Sequence, residues 1–211
     1  MDAPDQAQAY ADADFSESNQ AFVDAFVALC ASRGSRPGRL LDLGCGPGDI
    51  CIRMAQALPE CRVVGLDAGP NMLKLGQQAV DAAGLGDRVR LLLAHLPCAL
   101  PLTDDSAIVS NSLLHHLPDP MALWNTIAEQ AGPGCVVQIM DLHRPESADQ
   151  ARQLVATHAA DAPDVLAEDF YNSLLAAYTT DELTDQLNRS GLAHLEISRP
   201  SDRHWMVQGI L

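Results

Sequence analysis

The stretch "LLDLGCGPGDI", residues 40–50, places glycine at 44, 46 and 48, just after the acid Asp42. Glycine opens backbone angles closed to other residues and lets a ligand approach the main chain. A dinucleotide fingerprint has the spacing G-x-G-x-x-G and opens a helix that grips a pyrophosphate. Here position 49 is Asp49, which would repel a pyrophosphate, and Asp42 adds a second negative charge. The turn therefore prefers a ligand whose nearby charge is positive. Asp67 follows in "VVGLDAGPNML", where an acid at a strand end can accept hydrogen bonds from both hydroxyls of a ribose. The plainer role for Asp67 is to start the turn before Gly69 and Pro70. "SNSLLHHLPDP" offers His115 and His116; histidine as a residue type titrates near neutral pH and can serve as a general base, or it can pack and orient the loop.

These residues need elements that bring them together. Short apolar runs at 39–43, 62–67, 88–93, 107–111 and 135–141 alternate with helical patterns at 49–58, 71–84 and 120–130. Buried runs alternating with helices predict a parallel sheet covered on both faces. In such sheets ligands bind beyond the carboxyl ends of the strands, where the glycine turn and Asp67 both fall. Before the first strand, 16–34 reads as a helix from the spacing of Phe22, Phe26, Leu29 and Cys30, with Ser16 or Ser18 as cap and Gly34 as stop. After the fifth strand, 145–177 is mostly helical. Thr179 and Glu182 form a capping box that opens a short helix. The runs 194–199 and 204–210 are too close for a crossover, so they pair antiparallel. The predicted fold class is α/β: a doubly wound, mostly parallel seven-stranded sheet with a C-terminal antiparallel hairpin.

Bulk properties narrow the function. The chain has 211 residues, 47% of them hydrophobic, which favours one globular domain over 1–211. Its N-terminus has no basic start or apolar segment of a secretory signal, and no run approaches the ~20 apolar residues that span a bilayer. A cytoplasmic location without membrane insertion is expected. The formal net charge of −15 opposes a nucleic-acid partner, which needs a basic surface. Six cysteines without CxxC pairs read as reduced thiols, Cys61 and Cys135 as small hydrophobes, and no metal site is expected. The sequence leaves the oligomeric state open.

A ribose-bearing ligand with a cationic far end points to S-adenosylmethionine. On "LLDLGCGPG", "VVGLDAGPNML", "SNSLLHHLPDP" and "GPGCVVQIMDLHRP", the chain resembles class I S-adenosylmethionine-dependent methyltransferases of the small-molecule, ubiquinone-biosynthesis-like type. The resemblance covers about 38–145 and implies a Rossmann-like methyltransferase fold. It implies that S-adenosylmethionine is consumed, that S-adenosylhomocysteine is released, and that a small molecule accepts the methyl group. Asp42, Gly44, Cys45, Gly46 and Gly48 would hold the methionine part, with Asn111 close by. Asp67 would hold the ribose, and Ala68 and Met72 would border the adenine; a core role for Met72 stays open. The family often has an Asp contacting the adenine amino group after the third strand. Here His95 stands near that position, so His95 or the Leu96 backbone would substitute.

Methyl transfer needs alignment and exclusion of water more than a catalytic triad. His116 and His115 are the candidate catalytic residues. An N-terminal lid helix, about 1–34, would bring Tyr10 and Phe15. A helical insertion, about 145–177, would bring Phe170 and Tyr171. These aromatics line the acceptor pocket or pack the helices on the sheet. Arg144 faces an anionic acceptor or pairs with Asp141 or Glu146. Two other functions fit less of the sequence: a nucleotide-binding oxidoreductase, which Asp49 opposes, and a non-catalytic S-adenosylmethionine-binding protein.

Overall fold

The computed structural model describes residues 3–98, 105–160 and 162–211. Residues 99–104, between the third and fourth apolar runs, lie outside these residues.

The sheet has seven strands: β1 (Arg39–Leu43), β2 (Arg62–Asp67), β3 (Val89–Leu93), β4 (Asp105–Asn111), β5 (Ala131–Leu142), β6 (Glu196–Ser198) and β7 (His204–Ile210). Their order is β3-β2-β1-β4-β5-β7-β6. β1 to β5 pair in parallel, β7 runs antiparallel to β5, and β6 runs antiparallel to β7. The predicted doubly wound sheet with its terminal hairpin is the observed one. β5 starts four residues earlier than its apolar run, at Ala131 rather than Cys135.

Period-two alternation sorts the strand residues into two cores. Leu40, Val63, Val89, Ala107 and Val136 face α2 (Ser16–Arg33), α3 (Asp49–Ala57) and α4 (Pro70–Ala82). Leu41, Leu43, Leu66, Ile108 and Val137 face α5 (Met121–Gln130) and α8 (Thr180–Ser190). Phe22, Phe26 and Cys30 are the buried stripe of α2, as their spacing predicts. A buried amide fixes this helix to the sheet: Gln138 Nε2 donates to the Phe22 carbonyl at 2.7 Å, and Gln138 Oε1 accepts from Gln208 at 2.7 Å.

Two expectations for the N-terminal segment need correction. The cap of α2 is neither Ser16 nor Ser18. Asp14 Oδ1 accepts from the Ser16 N–H at 3.0 Å and from its hydroxyl, while the Ser18 hydroxyl donates to the Phe15 carbonyl. Asp14 lies two residues outside the helix and competes well because a carboxylate is the stronger acceptor. The segment 1–34 also holds a further helix, α1 (Pro4–Asp12), which packs against α4. Proline at its first position suits an N-terminus, but Ala7 is its one buried residue, so its apolar pattern is faint.

After β5 come α6 (Ala148–His158) and α7 (Asp164–Ala176), which pack on each other. α7 also contacts the 3-10 turn Leu114–His116. The capping box opens α8 as predicted.

Gly76 of α4 sits against the glycine turn. A Cβ there would lie 2.7 Å from Leu91 Cδ1 and 3.1 Å from the Pro47 carbonyl carbon. Gly76→Ala adds about 1 kcal/mol of helix propensity, but overpacking costs about 1–3 kcal/mol and one obstacle is backbone. We expect net destabilisation, read as a lower urea midpoint with unchanged slope; a stabilised variant would show that α4 and the turn are not in tight contact.

Candidate active site

The carboxyl ends of β1, β2, β4 and β5 carry the residues with chemistry. After Leu43, the chain turns through Gly44, Gly46 and Gly48 with φ of 75°, 51° and 82°. These values lie in the left-handed region that favours glycine. The turn consumes its own donors. The Gly44 and Cys45 N–H groups donate to the Leu66 carbonyl, Gly46 N–H to Asp67 Oδ2 at 2.8 Å, and Gly48 N–H to the Cys45 carbonyl. A pyrophosphate would find these four amides occupied and the Asp49 carboxylate beside them, which removes the basis for a dinucleotide-type grip. Asp67 Oδ1 accepts from the Gly69 N–H at 2.7 Å, so this one carboxylate ties together the loops after β1 and β2.

Asp42 is buried on the face toward α3 and accepts from the Cys51 thiol at 3.2 Å. Burial pushes its pKa up to about 7, against a weaker opposite pull from that thiol. Its register partner Gly65 has no side chain, and the space holds the Cys45 and Cys51 sulfurs.

A cavity of about 200 Å³ lies over the turn. Tyr10 and Phe15 come from the N-terminal segment, their ring centroids 5.0 Å apart. They join Asn19 of α2, Gly46, Asp49 and Asn111 in lining it. A Cβ on Gly46 would meet Tyr10 Cε1 at 4.0 Å. Burial, then the carboxylates of Asp141, Asp67 and Asp49, push the Tyr10 phenol up to about 12. Asn111 Oδ1 is buried and has no hydrogen-bond partner among the described residues.

Ala68 and His95 are exposed at the ends of β2 and β3, Leu96 is half-buried, and Met72 is buried in α4. They lie beside the Asp67 edge, where the Ala94 N–H donates to the Asp67 carbonyl.

His115 Nδ1 pairs with Asp141 Oδ1 at 2.5 Å, and both side chains are buried. Asp141 also accepts from the backbone N–H groups of His115 and Leu142. Ser112, at φ 58°, turns the chain back over β5 to make this pair. The His116 ring lies 3.9 Å from the His115 ring, and desolvation followed by that neighbour pushes its pKa down to about 4.

The residues lining the cavity do not include His115, His116, Arg144, Phe170 or Tyr171. Arg144 pairs with neither Asp141 nor Glu146 but with Glu182, which the capping box holds within its reach. Phe170 and Tyr171 pack against a separate core of Leu142, Ala151, Leu174 and Ala177, and Arg152 lies over the Tyr171 ring. Of the four aromatics expected at an acceptor pocket, Tyr10 and Phe15 line this cavity.

Two residues escaped the sequence reading. Asn19 precedes Phe22 by three positions, so helical spacing puts it on the same face one turn nearer the strand ends. Asp141 ends the apolar run of β5, as Asp67 ends that of β2, and that parallel was the available signal. Among the described residues no cluster of three or more His, Cys, Asp or Glu could hold a metal, and no helix is long and apolar enough to cross a membrane.

Residues 40–134 match the family model of the methyltransferase domain. The matched stretch is less than half of the chain. A demethylmenaquinone methyltransferase of Geobacillus kaustophilus is 36% identical over 110 residues, covering 51% of this chain and 46% of that protein. A trans-aconitate 2-methyltransferase of Azoarcus sp. is 31% identical over 100 residues, covering 47% of this chain and 37% of that protein. The chain thus spans less than half the length of these curated relatives. In three dimensions the likeness runs further. A SAM-dependent methyltransferase from Aquifex aeolicus superposes with a TM-score of 0.69, covering 100% of this chain and 99% of that one at 16% identity. That likeness is one of fold, and it takes in β6, β7 and the N-terminal helices as well as the matched stretch.

The buried Asp42 gives a pH signature. Its pKa rises from an ordinary 3.8 to about 7 on folding, so its stabilising share is present below 3.8 and lost as pH climbs through 7. Asp42→Asn should therefore raise the unfolding temperature of the ligand-free protein more at about pH 8 than at about pH 5. An equal change at both pH values would mean that Asp42 titrates normally.

Proposed function

We propose that the protein transfers a methyl group from S-adenosylmethionine to a small-molecule acceptor. The observation that carries this reading is the cavity over the glycine turn, rich in acceptors and short of free donors. It suits a ligand with a cationic end, and the orphaned Asn111 Oδ1 on its wall asks for a donor. Gly46 leaves room for close approach of a ligand to the main chain. The residues present fit S-adenosylmethionine.

Asp42, the backbone of Gly44, Cys45, Gly46 and Gly48, and Asn111 hold the methionine end. Asp67 accepts the ribose hydroxyls with lone pairs not used by Gly46 and Gly69, since a carboxylate has about four acceptor sites. Ala68, Met72, His95 and Leu96 border the adenine. When bound, the cofactor supplies a methyl group already activated on a sulfonium. The protein has to align the acceptor and keep water out. Tyr10 and Phe15 act as the lid over the turn. His115 is the candidate base: with Nδ1 donating to Asp141, its Nε2 is left to take a proton. His116, held neutral, packs on it.

A small acceptor needs only local complementarity, whereas the net charge of −15 disfavours a polyanion such as nucleic acid. The six free cysteines suit a cytoplasmic location.

Incubation with methyl-labelled S-adenosylmethionine and a metabolite extract, followed by mass spectrometry, should find the label in a small molecule. Label confined to protein or nucleic acid would refute the small-acceptor reading. Asp67→Ala should lower affinity for S-adenosylhomocysteine by about 2–4 kcal/mol in calorimetric titration. Unchanged affinity in the folded variant would remove Asp67 from the site.

A further inference from the structure

Asn19 belongs to α2, outside the matched methyltransferase domain, yet its amide reaches the cavity. Its Nδ2 donates to Asp49 Oδ2 at 2.8 Å. That same oxygen accepts from Arg53 Nε at 2.7 Å, and the Arg53 guanidinium donates to Gln20 of α2 at 2.9 Å. Asp49 is thus held between α2 and α3, and it fixes which way the Asn19 amide faces. Asn19 Oδ1 is left toward β4, where Asn111 Nδ2 donates to it over a long 3.4 Å. With its Nδ2 turned that way, Asn111 Oδ1 is left buried without a partner among the described residues.

Two amide oxygens, one poorly bonded and one not bonded at all, therefore line the same wall. Buried acceptors in a native protein are satisfied, so two such atoms together point to a ligand donor. The surrounding charges select its kind. Asp14, Asp42 and Asp49 also line the cavity, and Arg53, the one Lys or Arg among the described residues that line it, is already engaged by Asp49 and Gln20. A ligand carboxylate would meet two amide oxygens and three acids. An ammonium group has three donors and a positive charge, and matches that set.

We infer that Asn19 and Asn111 form a paired-amide grip for the amino group on the cofactor's tail, with Asp49 as the residue that positions Asn19. The inference rests on the proposed use of S-adenosylmethionine. It makes α2 a specificity element: the N-terminal helix tells ligands with the amino-acid tail from those without it. It also adds a role for Asp49 beyond repelling a pyrophosphate.

The test is calorimetric titration of the full chain with two probes, S-adenosylhomocysteine and 5′-methylthioadenosine, which lacks the amino-acid tail. In Asn19→Leu and Asn111→Ala, affinity for S-adenosylhomocysteine should fall about 10- to 100-fold, as expected for lost hydrogen bonds to a charged group. Affinity for 5′-methylthioadenosine should stay within about threefold. Asp49→Asn should weaken S-adenosylhomocysteine binding in the same selective way. Circular dichroism checks folding, and Asn111→Ala alone carries the test if the Asn19 variant unfolds. Equal losses for both probes, or no loss for either, would overturn the paired-amide grip while leaving the cofactor site intact. A wild-type protein that binds neither probe would overturn the proposed function with it.

Discussion

The carboxylate of Asp67 is the constraint on which the site depends. Leu43 and Leu66 are register partners, so the loops after β1 and β2 leave the sheet side by side. Asp67 Oδ2 takes the Gly46 N–H and Oδ1 takes the Gly69 N–H, which locks the two loops to one another. The Leu66 carbonyl secures the Gly44 and Cys45 amides just above. The shape of the glycine turn, the start of α3 and the approach of α4 through Gly76 all follow from that lock. Charge-assisted bonds from backbone N–H groups to a carboxylate are strong and short, which suits a rigid platform.

Around this platform the acids are used differently. Asp42 has one thiol donor and little else, so its charge is costly. Asp141 has His115 and two backbone N–H groups, and it organises the turn after β4. Asp49 is bound from two helices. Tyr10 gathers the field of Asp141, Asp67 and Asp49 at its phenol. A chain this acidic has therefore placed its acids in the site by address, with partners that differ at each one.

What was legible in the sequence was local. Gly44 to Gly48 declare their turn because few other residues tolerate those angles, and Asp67 is marked by its place at the end of an apolar run. The strands followed from runs such as "RLLDL" and "RVVGLD", and the α8 cap from Thr179 and Glu182, three residues apart. The misses depended on contacts distant in sequence. Arg144 found Glu182, 38 residues on, in place of its near neighbours. Asn19 owes its position to the way Gln138 and Phe22 set α2 on the sheet. α1 has one buried residue and stands mainly on its packing against α4, which no pattern in "PDQAQAYAD" announces. The aromatics of α7 looked like those of the N-terminus in composition, and only the separate core under α6 and α7 divides them.

The acid-rich wall of the cavity has a consequence for turnover. Methyl transfer turns a sulfonium into a neutral thioether, so the ligand loses one positive charge while every carboxylate around it stays. Near a protein surface, a unit charge a few ångströms away is worth on the order of 1–4 kcal/mol. In the use proposed here, the charged acids on that wall, Asp49 among them, would hold the spent cofactor less firmly than the fresh one. The reaction itself would then weaken the grip, and exchange of product for substrate would be built into the electrostatics of the cavity.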